Sequence, residues 1–307
     1  MEVSSTMKSD SVEDSFVLVD NLRVHYRRAG SGRPLLLIHG LVGSAMNWNR
    51  NIQELGRDAT VYAIDLPNMG ESDRRRGLDA GLEASADRLA RWLDAVGLEE
   101  VDVAGHSHGG AIAMMLAARH PNRVGKLMLF APANPYCDLS REIVRFYTTR
   151  IGSWLANLIP RLPALVQLNG LKYVYGNPSR VRMDALRGYT AGLSTPGTVE
   201  HVLGIVRHWY VDMESLRSAL DTLIDRPMLL VWGDRDRTVG MSSARQLHHL
   251  LPHSKLIIVP GAGHIAFEEE PEFCNQAMRQ WLLTPAAPAA STPARSRQQG
   301  VLTLETI

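Results

Sequence analysis

The sequence predicts an α/β protein whose mostly parallel sheet is flanked by helices and carries an inserted helical cap. The first observation is that short apolar runs alternate with segments of helical pattern, which is typical of a parallel sheet built from βαβ units. The second is a Gly-His-Ser-His-Gly segment at 105–109, which lies between an apolar run and a helical stretch. The third is that two later apolar runs end in turns that contain Asp236 and His264.

The first elements along the chain are a predicted hairpin and an alternating series of strands and helices. Residues 16–26 have hairpin character about Asp20-Asn21, a pair that favours a tight turn. The clearest helix is predicted over 82–96, where apolar residues recur at spacings of three and four until Gly97 ends the pattern. The predicted strands are 34–38, 60–64, 101–104, 126–130, 227–232 and 255–259.

The same pattern divides the chain into segments. Residues 1–14 are rich in Ser, Asp and Glu, which predicts a disordered N-terminus. The core is predicted to comprise 15–133 and 224–283. The interval 134–223 breaks the strand alternation and is too long for a simple loop, so it predicts the helical cap. Pro, Ala, Ser, Arg and Gln dominate 284–307, which predicts a flexible tail.

A serine in segment 105–109 has the setting of a catalytic nucleophile. A strand, a Gly-x-Ser-x-Gly pattern and a helix together describe a nucleophile elbow. A serine hydroxyl is a weak nucleophile, so it must stand exposed on a sharp turn near a base and near backbone N–H donors. Flanking glycines permit that turn because they carry no Cβ. Ser107 is therefore the predicted nucleophile, against the simpler interpretation of a small turn residue.

The partners of such a serine are an acid and a histidine, in the chain order Ser, Asp or Glu, His. The turn after the strand 227–232 offers Asp234 and Asp236, and the turn after 255–259 offers His264. The carboxyl ends of parallel strands meet at one edge of the sheet, so these side chains are expected to lie near Ser107. Either aspartate is a candidate at this point, since a turn aspartate also hydrogen-bonds nearby backbone.

Composition excludes several other classes of function. The 33 basic and 32 acidic residues give a net charge of +1, which provides no electrostatic argument for nucleic acid or an anionic membrane as a partner. Cys137 and Cys274 are the two cysteines, so neither a disulfide framework nor a zinc site is implied. The sequence shows no apolar core of a signal peptide and no stretch that would span a bilayer, which favours a cytoplasmic location. The oligomeric state is left open.

Two further motifs, with the elbow and the two strand ends, carry a resemblance to a known family. Residues 35–40, Leu-Leu-Leu-Ile-His-Gly, are similar to a strand followed by a His-Gly oxyanion loop. Residues 65–72 resemble an Asp-x-Pro-Gly-x-Gly-x-Ser turn in which Asn68 replaces the first glycine, a mild change because Asn tolerates positive φ. From about Val17 to Leu283, the chain resembles the α/β-hydrolase superfamily, in its capped serine-hydrolase branch of esterases and C–C hydrolases.

The resemblance implies specific roles for the residues. Ser107 would be the nucleophile and His264 the base, and the usual Gly-x-x-Asp spacing selects Asp236 over Asp234. The backbone N–H groups of Leu41 and His108 would form the oxyanion hole. The chemistry requires no metal or organic cofactor.

The substrate is predicted to be a small or medium lipophilic ester, because the cap contains a long apolar series over 154–171. Residues expected to contact it are Gly40, Trp48, Trp154 and Trp209. The leading function is therefore a serine carboxylic-ester hydrolase that forms an acyl-enzyme. Two alternatives remain: a C–C bond hydrolase of ring-cleavage dienoates, and a ligand-binding receptor with slow turnover on the same fold.

Overall fold

The computed structural model describes residues 11–137 and 141–284. The predicted tail from 285 onward and the first ten residues of the predicted disordered N-terminus lie outside the described residues. Eight strands form a single sheet in the order β1-β2-β4-β3-β5-β6-β7-β8. They are β1 (Glu13–Val19), β2 (Leu22–Ala29), β3 (Arg33–Ile38), β4 (Ala59–Ile64), β5 (Val101–His106), β6 (Val124–Phe130), β7 (Met228–Gly233) and β8 (Ser254–Val259).

The sheet is parallel from β4 to β8, and β1 and β2 add an antiparallel hairpin at one edge. Asp20 and Asn21 form the turn of this hairpin, both with positive φ (53° and 59°), a conformation that Asp and Asn tolerate better than most residues. The prediction of disorder over 1–14 is wrong for its last two residues. Glu13 and Asp14 belong to β1, where they pair with Arg28 and Arg27, so opposite charges face each other across the strands.

Helices cover both faces of the sheet and form the segment inserted between β6 and β7. The α-helices are α1 (Ile52–Leu55), α2 (Leu82–Ala95), α3 (His108–Arg119), α4 (Arg141–Thr148), α5 (Arg150–Ala156), α6 (Ala164–Val174), α7 (Met183–Ser194), α8 (Thr198–Leu220), α9 (Met241–Leu250), α10 (Ala266–Glu269) and α11 (Pro271–Leu283).

Two apolar cores form because successive side chains of a strand point to opposite faces of the sheet. In β3, Leu36 and Ile38 pack into the core beneath α2, α3 and α9. Leu35 and Leu37 pack into the opposite core, beneath α1, α10 and α11. The central strands are therefore mostly apolar on both faces, as expected for a sheet covered on both sides.

The interval 134–223, predicted as a cap, is helical in its described part and contains α4 to α8. We refer to it as the insertion. The second half of α8 returns to the core, where Leu216 and Leu220 are buried with residues of α2 and α3. Asp212 also accepts a hydrogen bond from the backbone N–H of Leu82 at the start of α2 (3.0 Å). None of the helices in the described ranges is long and apolar enough to cross a membrane.

Candidate active site

Ser107 occupies a sharp turn between β5 and α3 with φ 51° and ψ −119°. Positive φ is unfavourable for a residue with a side chain, so this conformation is strained. Both neighbouring glycines are sterically required. A Cβ at Gly105 would lie 2.6 Å from the carbonyl oxygen of Gly109, and a Cβ at Gly109 would lie 2.2 Å from that of His39. The glycine pattern therefore reflects close packing of the elbow against β3 and α3.

Backbone hydrogen bonds hold the strained elbow in place. The N–H of Ser107 donates to the carbonyl of Phe130 at the end of β6 (3.0 Å). The carbonyl of Ser107 accepts from the N–H groups of Gly110, Ala111 and Ala133 (2.9 to 3.1 Å). The turn is thus fixed to the neighbouring strand and to the first turn of α3, while its side chain stays partly exposed.

A buried hydrogen bond joins the predicted acid and base. The Nδ1 of His264 lies 2.8 Å from Oδ2 of Asp236, whose side chain is fully buried. Oδ1 of Asp236 accepts from the backbone N–H groups of Thr238 (2.7 Å) and Val239 (2.9 Å), which fixes the carboxylate. An ionised carboxylate only accepts, so Nδ1 carries the proton and Nε2 is left to accept one.

The structure separates the two candidate aspartates. Asp234 accepts a hydrogen bond from the backbone N–H of Gly261 (2.7 Å). It therefore stabilises the turn after β8, while Asp236 faces the histidine. This is the turn role that the sequence left open for Asp234.

Ser107 and His264 line the same chamber, which has a volume of about 650 Å³. Its walls come from the carboxyl edge of the sheet and from α6, α7, α8 and the turn before α6. The lining is mostly apolar, and within the described residues it contains no Lys, Arg, Asp or Glu. The lining residues are Leu41, Val42, His106, Ser107, His108, Ala133, Cys137, Ile159, Leu162, Val166, Gln167, Gly170, Leu171, Val174, Leu186, Tyr189, Thr190, Leu193, Val206, Trp209, Thr238, Val239, His264 and Ile265.

The two histidines beside the serine are both buried and held neutral. Burial lowers the pKa of His108 to about 3, and it holds the pKa of His106 well below its ordinary range. His106 Nε2 pairs with the backbone carbonyl of His264 (3.0 Å), so it braces the loop that carries the base. His108 Nδ1 has no hydrogen-bond partner among the described residues, so a polar group in the chamber would find a free nitrogen there.

The loop after β3, which is predicted to carry an oxyanion donor, touches the elbow directly. A Cβ at Gly40 would lie 2.7 Å from Nδ1 of His106 and 3.1 Å from Cβ of Ser107. Only glycine allows this approach. Leu41 and His108, the two predicted oxyanion donors, both line the chamber, and the first N–H groups of a helix such as α3 have no partner within it.

His39 has a role that the sequence analysis did not assign. Its Nε2 accepts from the N–H of Leu66 (3.0 Å), so its Nδ1 is the donor to the carbonyl of Gly40 (2.8 Å). Burial lowers the pKa of His39, which keeps the ring neutral in this tautomer. The Gly40 carbonyl and the Leu41 N–H belong to one planar peptide unit. The hydrogen bond from His39 therefore fixes the direction of the Leu41 N–H.

The turn at 65–72 supports this loop from behind. Asp65 accepts from the backbone N–H of Ala45 (2.6 Å) and of Glu71 (2.7 Å) and pairs with Nδ1 of His25 (2.8 Å). Asn68 has φ 67°, the positive value that its replacement of a glycine requires. Within the described residues, no cluster of His, Cys, Asp and Glu is arranged to hold a metal ion.

Comparison with known proteins shows the family and the fold. A family model described as the alpha/beta hydrolase fold matches residues 33–271. The chain belongs to the α/β-hydrolase family. A similar relative is the pimeloyl-[acyl-carrier protein] methyl ester esterase of Vibrio parahaemolyticus, 29% identical over 265 residues, which cover 82% of this chain and 96% of the relative.

Two solved structures show the same fold. A bacterial membrane phospholipase A is 28% identical with a TM-score of 0.75, over 89% of this chain and 86% of the other. A meta-cleavage product hydrolase from Pseudomonas fluorescens has a TM-score of 0.73 at 22% identity, over 87% of this chain and 97% of the other. As a member of the α/β-hydrolase family, the chain carries its candidate site where strands β5, β7 and β8 end.

The structure places the four residues predicted to contact substrate in different surroundings. Trp48 is completely buried and its ring stacks on Phe267 at 4.0 Å, so it belongs to the core beneath α10. Trp154 is 62% exposed and does not line the chamber. Gly40 lies against the elbow and does not line the chamber either, whereas Trp209 does. Residue type alone predicted an aromatic lining, but the direction of each side chain depends on tertiary packing.

A buried carboxylate beside the chamber was also missed. Glu268 in α10 accepts from Tyr175 (3.0 Å) and Tyr189 (2.9 Å) of the insertion and from Nδ2 of Asn47 (2.9 Å). Burial raises its pKa to about 7, although these hydrogen bonds act in the opposite direction. No sequence pattern indicated this burial, because adjacent glutamates in a short helix normally face solvent.

The next carboxylate, Glu269, makes a second connection between insertion and core. It accepts from the backbone N–H groups of Gly176 (3.0 Å), Asn177 (3.0 Å) and Gly263 (2.6 Å). Gly263 directly precedes His264. Adjacent glutamates of α10 therefore join the insertion to the loop that holds the candidate base.

Replacing Gly40 by alanine is expected to lower activity strongly without unfolding the protein. The new Cβ would collide with the rings and side chains of the elbow, so the oxyanion loop must move away from Ser107. Loss of one oxyanion donor costs about 2.7–4 kcal/mol of transition-state stabilisation, or roughly 100- to 1,000-fold in kcat. The control is Gly240→Ala, where the added Cβ meets only Ser242 Oγ at 3.7 Å. Equal rates of ester hydrolysis by Gly40→Ala and Gly240→Ala would contradict the close contact between Gly40 and the elbow.

Glu268→Gln is expected to make stability less dependent on pH. The folded-state pKa of Glu268 lies above its ordinary value, so the stability that its neutral form contributes is complete below about pH 4.5 and is lost as pH rises through about 7. The free energy of unfolding of Glu268→Gln should therefore rise relative to that of wild type across this pH range, by a difference on the order of 3 kcal/mol. Urea unfolding at pH 5 and pH 8 measures it. Glu272→Gln, at an exposed glutamate of α11, is the control, and a constant difference between Glu268→Gln and wild type would refute the prediction.

Proposed function

We propose that the protein is a serine hydrolase that cleaves carboxylic esters of lipophilic substrates through an acyl-enzyme. His264 Nε2 takes the proton of Ser107 as Oγ attacks the ester carbonyl, and Asp236 stabilises the imidazolium that forms. The oxyanion lies between the N–H groups of Leu41 and His108. His264 then returns the proton to the departing alcohol, and water releases the acid by the reverse sequence.

The observation that carries the substrate class is the lining of the chamber. A space of about 650 Å³ with mostly apolar walls stabilises a lipophilic acyl or aromatic group, because the group leaves water without losing hydrogen bonds. The similar esterase and phospholipase support ester cleavage. The strained serine, the buried Asp236–His264 pair and the apolar chamber are all consistent with this proposal.

The chamber disfavours the alternative of a C–C hydrolase of ring-cleavage dienoates. Such substrates carry a carboxylate, and a buried carboxylate without a cationic partner is costly. The described lining holds no Lys or Arg, and burial holds His106 and His108 neutral. The structure of a meta-cleavage product hydrolase is similar in fold, but at 22% identity it supports the fold alone. A receptor with slow turnover differs from an esterase in its rate of ester hydrolysis, so an activity assay distinguishes the two.

Acyl length should control turnover of p-nitrophenyl esters. Each methylene that enters the chamber is worth about 0.8 kcal/mol, so kcat/KM should rise roughly fourfold per methylene until the chamber is full. Ser107→Ala measures the background and is expected to show no turnover. The esterase proposal fails if wild type and Ser107→Ala hydrolyse these esters equally. A wild type that releases one equivalent of product and then stops would favour the receptor alternative.

Asp236→Asn should lower kcat by about 10⁴-fold while the protein stays folded, because the amide favours the wrong tautomer of His264. Its Oδ1 still accepts from Thr238 and Val239, so the turn is kept. Asp234→Asn is the matched control, since its Oδ1 still accepts from Gly261 and it does not face His264. More than a tenth of wild-type kcat in Asp236→Asn would contradict the assignment of the acid.

A further inference from the structure

The whole chain has a nearly balanced charge, but one segment of the insertion is basic. Residues 141–174, which span α4, α5 and α6, contain five cationic side chains and a single acidic one, Glu142. The cations are Arg141, Arg145, Arg150, Arg161 and Lys172. None of these five forms a salt bridge with another described residue, and all but Lys172 are largely exposed. Arg141 lies over the ring of Tyr210 (5.5 Å), and no described carboxylate neutralises any of the five charges.

The same helices expose large apolar side chains. Ile151 is 68% exposed, Leu165 67% and Trp154 62%, and Phe146 and Tyr173 are also exposed. Single exposed apolar residues are common on soluble proteins, but a run of them through three successive helices marks an interaction surface. We call residues 141–174 with these side chains the apolar-basic face.

This face continues into the candidate active site. Ile159, Leu162 and Val166 are 38%, 40% and 48% exposed, and all three also line the chamber. The turn before α6 and the start of α6 therefore contribute solvent-accessible apolar side chains to the wall of the chamber. The segment 141–174 therefore supplies apolar residues to the chamber that Ser107 also lines.

We propose that the apolar-basic face docks the protein onto an anionic lipid surface, with the chamber opening towards the lipid. Amphipathic helices with basic side chains and exposed Trp, Phe and Leu lie in the interface, where the apolar side chains enter the acyl boundary and the cations meet the headgroups. Long arginine and lysine side chains reach both regions at once. Docking itself is independent of the proposed esterase activity; only the delivery of lipid to Ser107 rests on it.

The fluorescence of Trp154 can report docking directly. All six tryptophans lie in the described residues, and Trp154 is the one with more than half of its surface exposed. Adding vesicles of phosphatidylglycerol to the full-length protein should therefore shift its fluorescence to the blue, and phosphatidylcholine vesicles should do so less. Trp154→Phe should still sediment with the anionic vesicles but should lose the shift.

Single substitutions test the contribution of each part of the face. Each neutralised arginine near an anionic surface should weaken vesicle binding about fivefold at low salt, so Arg150→Gln and Arg161→Gln are compared with Arg245→Gln on α9. Ile151→Ser is compared with Phe273→Ser, an exposed apolar residue of α11. Hydrolysis of the water-soluble p-nitrophenyl acetate by these variants should equal that of wild type.

The outcomes separate docking from the proposed activity. Intact ester hydrolysis with no fluorescence shift and no sedimentation with either vesicle would overturn docking alone. Vesicle binding by a protein without esterase activity would leave docking supported and overturn the esterase. Two other occupants of the face would also refute the proposal. A doubled mass with Trp154 shielded would indicate a second copy of the chain, and vesicle binding only after removal of 285–307 would indicate that the tail covers the face.

Discussion

The strained backbone of Ser107 is the constraint on which the candidate site depends. A positive φ at a serine is costly, and it persists because the surrounding structure fixes it from three directions. The carbonyl and N–H of Ser107 bond to α3 and β6, and glycines at 105 and 109 let β3 and α3 approach within contact distance. Gly40 then brings the oxyanion loop against the same turn. This close approach of backbone to backbone brings together the serine and the two amides that the proposed mechanism uses.

The insertion extends this arrangement from the sheet to the substrate. Its chain is tied to the core by Glu268 and Glu269, which lie in the helix directly after His264. The residues that hold the insertion thus also support the loop of the candidate base. On its outer side the insertion is basic and apolar, and on its inner side it is apolar and uncharged. This difference between its two sides is what the proposed docking on a lipid surface and the proposed lipophilic substrate both rest on.

The places of the predicted site residues in the fold could be read from the sequence. Ser107, Asp236 and His264 each follow a strand, and strand ends could be read from apolar runs without knowledge of packing. The sequence was less informative about where a side chain points. Trp48 and Trp154 have the same residue type, yet one is in the core and the other is on the surface.

The distribution of charged residues was also predicted poorly from the sequence. The net charge of +1 averages over the whole chain, so it gave no indication of the basic stretch in α4 to α6. Glu13 and Asp14 looked like part of a solvated acidic terminus but pair with Arg28 and Arg27 across β1 and β2, a contact between residues distant in the sequence. Glu268 looked like a surface residue and is buried by tyrosines of the insertion.

The most direct test of the account is the covalent intermediate. Rapid mixing with a p-nitrophenyl ester, acid quench and intact-mass spectrometry should show the added mass of one acyl group, and peptide mapping should place it on Ser107. Ser107→Ala should show no added mass under the same conditions. An acyl group on another residue, or ester turnover with no acylated protein at any time after mixing, would contradict the proposed mechanism.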